Sequence, residues 1–277
     1  MTQSTPRPTA PIAFIGGGNM ASAIIGGLLR QGLAASEIEV VEPFAPARER
    51  LLAQYGVTAQ AQAGPALARA DLLVWAVKPQ TFKEAALQAR SHCATALHLS
   101  VAAGIRSDSI AAWLGTERVV RAMPNTPALI GKGMTALFAR AVVSAAERSR
   151  VEQVIATTGE SLWVEQESQL DAVTALSGSG PAYVFFFLEA MTRAGVEMGL
   201  SAQQAHALAV GTFVGASELA RSSGEPPEIL RQRVTSKGGT TYAAISAMEH
   251  AQVGTLFGKA LHAARDRATE LGDEFGV

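Results

Sequence analysis

The residues best suited to hold a phosphate lie near the start of the chain, in the stretch FIGGGNMASAII (14–25). Gly16, Gly18 and Ala21 match the pattern G-x-G-x-x-A, directly after a short apolar run. In that pattern the first glycine permits a tight turn, the second lets a pyrophosphate approach the backbone, and the small third residue allows a helix to pack on a strand. Exposed N–H groups at the start of the helix attract the anion. We therefore expect a dinucleotide-binding turn, with a plain tight turn as the alternative.

An acidic residue at the end of the second apolar run bears on which dinucleotide binds. Glu42 comes about 20 residues after Ala21, the spacing typical of an acid that accepts hydrogen bonds from the adenosine ribose and repels a 2′-phosphate. This weakly favours NADH, although an exposed acid at a strand end would look the same. Arg48 and Arg50 follow closely and could pair with the 2′-phosphate of NADPH. The residues alone therefore leave both NADH and NADPH open.

A second group of hydrogen-bond donors lies late in the chain, in the segment TSKGGTT (235–241) between two helix-like stretches. As structure alone, the segment is a helix end, a glycine break and a new helix whose N-cap is Thr240 or Thr241. The same residues bring hydroxyls, a lysine and several backbone N–H groups to one helix start, which suits a carboxylate. We therefore expect a substrate carboxylate to bind there. The residues assigned to this site are Ser236, Lys237, Gly238, Gly239, Thr240 and Thr241.

Three further segments close apolar runs and are candidates for the walls of a site. The small residues of AVKP (76–79) and VAAG (101–104) let the backbone approach a ribose or a nicotinamide ring. Lys78 is open to a catalytic interpretation and, equally, to one as a solvated lysine at a strand exit. MPNTP (123–127) carries two prolines and offers Asn125 either as a polar contact for a ligand or as part of a strand exit.

The elements that must position these residues alternate between strand and helix over the first half of the chain. Runs such as IAFIG (12–16) and DLLVWAV (71–77) are continuously apolar, which indicates strands buried on both faces of a sheet. Helix-like stretches separate them, so we predict an α/β fold with a doubly wound parallel sheet. Strand signals end near residue 170, and the alanine-rich remainder predicts an all-α domain that buries its surface in a homodimer. The predicted bounds are a disordered tail over 1–10, a dinucleotide-binding domain over 11–167 and a helical domain over 168–277.

Composition excludes several classes of protein. Apolar residues make up 48% of the chain and its formal net charge is -1, so we expect sizeable cores and no pull toward nucleic acid or an anionic membrane. Cys93 is the only cysteine, which excludes an internal disulfide and fits a reducing, cytoplasmic compartment. The histidines show no metal-ligand spacing, so no metal is expected. No apolar stretch of the sequence is long enough to cross a bilayer, and the first residues do not resemble a signal peptide.

Six segments together resemble those of the pyrroline-5-carboxylate reductases, in the order of that family. They run from about Ile12 to Leu271 and are FIGGGNMA, AVKP, VAAG, MPNTP, SGSGPAYVF and VTSKGGTT. The resemblance implies hydride transfer from NAD(P)H to the C=N bond of 1-pyrroline-5-carboxylate, which gives L-proline in the last step of proline biosynthesis. It also implies a Rossmann domain followed by a helical dimerisation domain, active sites formed between subunits, and dimers that often assemble into decamers.

The same resemblance assigns roles to individual residues. It implies that Gly16, Gly18, Asn19 and Met20 hold the pyrophosphate and that the segments 76–79 and 102–104 line the nicotinamide side. It also implies that the substrate carboxylate and ring bind to Ser236, Gly238, Gly239, Thr240 and Thr241. From its place in the MPNTP loop, we add Asn125 as a further substrate contact. The cofactor-binding residues, with Glu42 added, are Gly16, Gly18, Asn19, Met20, Glu42, Ala76, Val77, Lys78, Pro79, Ala102, Ala103 and Gly104.

The chain also departs from the family pattern at positions near the cofactor. Many relatives have small hydroxyl residues, suited to NADPH, where this chain has Glu42 and Pro43, and Ala63 replaces an asparagine that often contacts the adenosine. The reaction itself asks little of the protein, because a protonated imine accepts hydride readily once the reactants are aligned and water is excluded. Thr241 is the candidate catalytic residue, as a hydrogen-bonding partner of the ring nitrogen, with helix capping as its alternative role.

Two other functions are compatible with parts of the sequence. The first is a related two-domain dehydrogenase that acts on a hydroxy acid. Such enzymes generally use a lysine on the interdomain helix, whereas the segment 180–199 contains only Arg193 as a basic residue. The second is a non-catalytic dinucleotide-binding protein, which the intact GxGNMA and SKGGTT segments disfavour.

Overall fold

A computed structural model describes residues 11–276, so the tail predicted over 1–10 lies outside the described residues. The chain divides into two compact units. The first extends to Ser179 and takes in the chain again from Ala264, and the second is Gly180–Ala263. The domain bounds 11–167 and 168–277 remain a prediction. Within the described part of the chain, no helix combines the length and the apolar character needed to cross a membrane.

An eight-stranded sheet forms the centre of the first unit, within residues 11–276. Its order is β3-β2-β1-β4-β5-β6-β7-β8, and neighbouring strands are parallel except for β6 and β7. This arrangement confirms the predicted doubly wound, mainly parallel sheet. The strands are β1 (Ile12–Ile15), β2 (Ile38–Val41), β3 (Ala59–Gln60), β4 (Leu72–Trp75), β5 (Leu97–Ser100), β6 (Val119–Met123), β7 (Gly133–Ala139) and β8 (Gly159–Trp163).

The antiparallel pair β6–β7 is the exception to the parallel sheet that the sequence predicts. Arg121 of β6 lies opposite Phe138 of β7. The connection between the two strands is a short loop that contains the 3₁₀ turn Thr126–Ile130. A parallel pair needs a crossover of roughly a dozen residues or more, so this shorter connection makes the chain reverse direction.

Helices cover both faces of the sheet, and alternate residues of each strand point into two different cores. Phe14 packs with Ile24 in one apolar cluster, whereas its neighbour Ile15 belongs to a second cluster with Trp75 and Phe82. The continuous apolar strands of the sequence follow from this burial on both faces. The helices of this unit are α1 (Asn19–Arg30), α2 (Ala45–Tyr55), α3 (Pro79–Ala89), α4 (Ser107–Leu114), α5 (Ala145–Ile155) and α6 (Gln169–Val173).

A π-helical turn, Thr174–Gly178, follows α6 and ends the first unit. The Ser179 N–H donates to the carbonyl of Thr174 over 2.8 Å, the five-residue spacing of a π-helix. No local sequence pattern predicts this turn. Single π-helical turns occur frequently at functional sites.

The second unit is helical, as the sequence predicts. Ser201 caps α8: its hydroxyl accepts a hydrogen bond from the Gln204 N–H, which confirms the predicted N-cap. The predicted threonine cap of α10 is wrong, because that helix begins at Thr240 behind Gly239 and has no side-chain cap. The helices are α7 (Gly180–Glu197), α8 (Ala202–Ser223), α9 (Pro227–Arg233), α10 (Thr240–His250) and α11 (Val253–Phe275), which continues into the first unit.

Candidate functional site

The glycine turn after β1 approaches the end of β4 more closely than any side chain would allow. Gly16 has a φ of +96°, and a Cβ at this position would lie 2.5 Å from the carbonyl oxygen of Ala76. The Gly16 N–H donates to the carbonyl of Val41 over 2.8 Å, which ties the turn to β2 as well. Position 16 therefore requires glycine for two reasons. Any other residue would be strained at this positive φ, and its Cβ would clash with the carbonyl of Ala76.

The start of α1 is open to an anion. Gly18 is the N-cap of α1, it is exposed, and a Cβ there would meet nothing within 4 Å. The first turn of α1 holds no acidic residue and the cap makes no side-chain hydrogen bond. The first N–H groups of a helix, here those of Asn19 and Met20, have no carbonyl partner four residues earlier. This geometry suits a pyrophosphate.

The carboxylate of Glu42 lies directly beside the glycine turn. Its Oε2 accepts a hydrogen bond from the Gly17 N–H over 2.7 Å, and its Oε1 accepts one from the Phe44 N–H over 2.8 Å. Arg48 donates to the carbonyl oxygens of Glu42 and Pro43 over 3.0 and 2.7 Å, so its guanidinium braces the same turn. The Glu42 side chain, just after β2, is therefore held in one place by two backbone N–H groups. The Arg48 guanidinium is occupied by two backbone carbonyls.

A cavity of about 700 Å³ runs along the carboxyl ends of β1, β2 and β4. This volume lies within the range typical of ligand pockets. Arg50 and Ala63 also line the cavity, as do six of the predicted cofactor residues: Gly16, Gly18, Glu42, Ala76, Val77 and Lys78. The other six predicted cofactor residues are not part of its lining: Asn19, Met20, Pro79, Ala102, Ala103 and Gly104.

The VAAG segment continues β5 at the same edge of the sheet. The Val101 N–H donates to the carbonyl of Trp75 over 3.0 Å, so the segment starts beside the end of β4. Ala102 is buried and Ala103 is exposed. Gly104 has a φ of +72°, and a Cβ there would lie 3.3 Å from the Cβ of Leu271 in α11. The end of α11 thus packs against this turn.

Asn125 lies in the loop after β6, and both ends of its side-chain amide are engaged. Its Oδ1 accepts a hydrogen bond from the Met134 N–H over 2.9 Å. Its Nδ2 donates to the carbonyl of Ser177, in the π-helical turn, over 3.1 Å. The side chain therefore joins the start of β7 to the end of the first unit.

The Ser236–Thr241 loop of the second unit has its own free donors. Gly238 has a φ of +79°, and the Gly239 N–H donates to the carbonyl of Ser236 over 3.0 Å, which closes the loop in front of α10. Ser236, Lys237 and Thr240 are exposed, and Thr241 is half-buried. Within residues 11–276, the side-chain hydroxyls of Ser236, Thr240 and Thr241 have no intramolecular partner. The first turn of α10 contains no acidic residue, so this helix start suits a carboxylate.

The other titratable groups form no second site of this kind in the described residues. No group of three or more metal-ligating side chains occurs within residues 11–276. His98 is buried on β5, where desolvation lowers its pKa to about 4. Its Nδ1 accepts a hydrogen bond from Nε1 of Trp75 over 3.1 Å. The neutral imidazole therefore belongs to the core of the sheet.

Two carboxylates that were not predicted from the sequence anchor the segment before the π-helical turn. Glu167 accepts hydrogen bonds from the Ser107 N–H and hydroxyl, both over 2.6 Å, and pairs with the buried Arg121 over 2.7 Å. Asp171 accepts a hydrogen bond from the hydroxyl of Thr269 over 3.1 Å. An arginine inside the apolar strand VVRAM was the one signal that could have indicated a buried ion pair.

Comparisons with known proteins cover nearly the whole chain. A family model for pyrroline-5-carboxylate reductase dimerisation matches residues 167–271, and one for NADP oxidoreductases, coenzyme F420-dependent, matches residues 11–104. The pyrroline-5-carboxylate reductase of Pseudomonas aeruginosa is 45% identical over 276 residues, which are 99% of each chain. That of Haemophilus influenzae is 38% identical over 94% of this chain and 97% of its own.

Solved structures agree with this relationship. A pyrroline-5-carboxylate reductase from Coxiella burnetii has a TM-score of 0.89 at 37% identity and covers 95% of this chain and 99% of its own. The enzyme of Plasmodium falciparum, solved with NADP bound, shares the fold with a TM-score of 0.86 at 24% identity over 96% of this chain and 100% of its own. These matches confirm the resemblance inferred from the six segments: the chain belongs to the pyrroline-5-carboxylate reductase family.

Proposed function

We propose that the chain carries out its family's reaction with the cofactor bound at the glycine turn of the first unit and the substrate carboxylate bound at the Ser236–Thr241 loop. As a family member it is an NAD(P)H-dependent oxidoreductase that reduces 1-pyrroline-5-carboxylate to L-proline, the last step of proline biosynthesis. The placement of the two sites within this chain is the new part of the proposal.

The observation that carries this placement is a pair of open helix starts. α1 and α10 each begin behind a glycine, without a side-chain cap and without an acidic residue in the first turn. In contrast, α5 and α8 are closed by Ser144 and Ser201, which take part in reciprocal capping boxes. α2 and α3 also lack a side-chain cap, but each has a proline in its first turn, which removes one of the N–H groups that an anion would need. Exposed, uncapped N–H groups are free to exchange water for an anion, so the open starts fit one site for the pyrophosphate and one for the substrate carboxylate.

The chain's own residues have limited chemical tasks in this reaction. When bound, the cofactor supplies the hydride that reduces the C=N bond. The N–H groups at the start of α10, with Ser236 and Thr240, hold the carboxylate and thereby orient the ring. We assign Thr241 as the catalytic residue, since its hydroxyl has no intramolecular partner in the described residues and can hydrogen-bond the ring nitrogen. Lys237 contributes positive charge beside the carboxylate.

For the cofactor, we propose a preference for NADH. The Glu42 carboxylate is held beside the glycine turn by two N–H groups, where it accepts hydrogen bonds from ribose hydroxyls and repels a 2′-phosphate. Arg48 is engaged with two carbonyl oxygens, which leaves Arg50 and Lys78 as the basic residues on the cavity that could pair with that phosphate. The test is the ratio of kcat/KM for NADH and NADPH, and a ratio in favour of NADPH would contradict the preference.

For the assembly, we propose a homodimer built on the helical unit, with decamers as an assembly of dimers. The match to a dimerisation model over residues 167–271 supports self-association, and the size of the assembly is the proposed part. The molar mass from light scattering distinguishes monomer, dimer and decamer. A cytoplasmic location belongs to the same proposal and rests on the single cysteine and the biosynthetic role of the relatives.

The decisive experiment is the oxidation of NADH or NADPH on addition of 1-pyrroline-5-carboxylate, with proline identified as the product. Both alternatives that the sequence left open predict no turnover with this imine. A dehydrogenase of hydroxy acids would instead reduce an added keto acid, and a non-catalytic protein would bind the dinucleotide without oxidising it. Absence of turnover with both cofactors would overturn the proposed function.

A further inference from the structure

The amide of Asn125 links two segments of the first unit that are far apart in sequence. It accepts from the Met134 N–H and donates to the carbonyl of Ser177. We propose that Asn125 is a positioning residue of the reductase: it holds the Thr174–Gly178 turn at the cofactor edge of the sheet rather than binding substrate. This inference rests on the proposed function and deepens it, since it replaces the role of substrate contact that the sequence analysis expected.

The carbonyl of Ser177 needs an outside donor because of the sequence that follows it. In an α-helix this carbonyl would accept from the residue four positions later, which is Pro181 and has no N–H. The adjacent π-helical bond from the Ser179 N–H goes to Thr174. Asn125 supplies a donor at 3.1 Å. Pro181 thus leaves the Ser177 carbonyl without its helical donor, and Asn125, 52 residues earlier in the chain, supplies the missing hydrogen bond.

The position of Asn125 places this hydrogen bond at the edge of the sheet where the cofactor is proposed to bind. β1, β4, β5 and β6 are parallel neighbours, so their carboxyl ends lie at one edge of the sheet. Asn125 comes two residues after β6 ends at Met123. Ligands of doubly wound sheets bind beyond the carboxyl ends of the strands. The hydrogen bond from Asn125 therefore holds the π-helical turn against the MPNTP loop, at the same edge of the sheet as the VAAG segment.

A second contact fits the turn to the same wall. A Cβ on Gly178 would lie 2.5 Å from the terminal methyl of Met123, so the glycine admits this side chain against the turn. Met123 packs against Gly178, and Asn125 donates a hydrogen bond to Ser177. The residues just before this turn are anchored by Glu167 and Asp171. Apolar packing and polar contacts thus fix the same short segment.

The inference is tested with Asn125→Asp and Asn125→Ala in the full-length enzyme, by amide hydrogen exchange without substrate and by steady-state kinetics. Asn125→Asp keeps the acceptor for the Met134 N–H but loses the donor to Ser177, whereas Asn125→Ala loses both. We expect exchange over residues 174–179 to become about tenfold faster or more in both variants, and exchange at Met134 to become faster only in Asn125→Ala. We also expect kcat to fall about tenfold or more while KM for the dinucleotide stays constant. Lys132→Ala, an exposed side chain in the same loop, should change none of these values.

Three outcomes would overturn the inference. Reduced activity with unchanged exchange would make Asn125 a direct substrate contact, and faster exchange with unchanged kcat would make the link irrelevant to the reaction. Faster exchange at Met134 in Asn125→Asp would show that the two hydrogen bonds do not separate as the geometry requires. If Asn125→Ala fails to fold, Asn125→Asp carries the test alone. Failure of the proposed function is distinct, because the wild-type enzyme would then leave NADH and NADPH unoxidised.

Discussion

Phenylalanine has opposite surroundings in the two units of the chain. In the sheet unit Phe14 and Phe82 are completely buried, whereas in the helical unit Phe185 and Phe186 are 63% and 65% exposed. The buried hydrophobic residues of the described helical unit are two alanines, Ala205 and Ala209. The sheet unit therefore completes its core within one chain, and the helical unit does not. The apolar surface of the helical unit needs a further surface to cover it.

The sequence of α7 agrees with this contrast. The run PAYVFFFL (181–188), which precedes Glu189, is apolar on all sides of the helix, a pattern typical of a helix that is buried all round. Tyr183 packs against Phe257 with ring centres 5.7 Å apart, and its hydroxyl is shielded without a partner in the described residues. The helical unit thus depends on association, and the sheet unit on its own packing.

The largest expected effect comes from Phe186→Glu, which places a charge on the exposed apolar face of α7. Burial of a phenylalanine contributes about 2–3 kcal/mol, and a dimer contains two copies of each change. We expect the dimer to dissociate and kcat/KM to fall about a hundredfold or more, while the sheet unit still binds dinucleotide. Light scattering measures the mass and fluorescence titration measures binding of NADH. A dimeric, active Phe186→Glu enzyme would contradict the contrast between the units.

The matched change in the sheet unit is Gly16→Ala, with Gly18→Ala as its control. Alanine at position 16 would have a strained positive φ and a Cβ in contact with the carbonyl of Ala76, which should lower the free energy of unfolding by about 3 kcal/mol. Alanine at position 18 meets nothing within 4 Å, so the fold should persist while KM for the dinucleotide rises about tenfold. Urea unfolding and kinetics separate the two effects. Equal loss of stability in both variants would contradict the assignment of a structural role to Gly16 and a binding role to Gly18.

Replacement of Thr241 tests the open helix start of the second unit. Thr241→Ala should lower kcat about tenfold to a hundredfold without loss of stability, because its hydroxyl makes no intramolecular hydrogen bond in the described residues. Thr241→Ser retains the hydroxyl and should restore most of the activity. The measurements are steady-state kinetics and thermal unfolding. Wild-type kinetics in Thr241→Ala would remove the residue from the reaction and leave it a structural position.

A smaller effect is expected from Glu42→Ser at the glycine turn of the first unit. Serine removes the charge that repels a 2′-phosphate, so the ratio of kcat/KM for NADPH to that for NADH should rise about tenfold. Glu39→Ser, within β2, is a control for removal of a nearby negative charge at a position that does not line the 700 Å³ cavity, although it also removes the ion pair with Arg69. Both ratios come from initial rates at equal ionic strength. An unchanged ratio in Glu42→Ser would show that the carboxylate does not select the cofactor.

A further expected effect concerns the core of the sheet unit and its sensitivity to acid. Burial lowers the pKa of His98 from 6.5 to about 4, so the folded state favours the neutral imidazole. Its contribution to stability is present above pH 6.5 and is lost as the pH falls toward 4, by about 2 kcal/mol at pH 4.5. His98→Gln keeps an acceptor for Trp75 and should lose less stability between pH 7 and 4.5. Urea unfolding at the two pH values measures this, and equal losses would exclude His98 as the cause.

The segment before α7 shows where prediction from the sequence stopped. The family model for dimerisation begins at residue 167, close to the predicted bound at 168, whereas the compact packing of the first unit extends to Ser179. Glu167 and Asp171 are responsible, because their partners Arg121 and Thr269 belong to the first unit. Local sequence indicated the alternation of strands and helices, although it misplaced the start of α10. It could not indicate which distant groups hold the junction.

The features that a few neighbouring residues encode were predictable without the fold. These are the glycine turn at Gly16, the open loop before α10, the apolar strands and the family to which the chain belongs. The partners of polar side chains became known from the fold: Glu42 accepts from Gly17, and Asn125 joins Met134 to Ser177. The reason is physical. A backbone conformation follows from local sterics, whereas a polar side chain binds whichever distant backbone group the fold leaves without a partner.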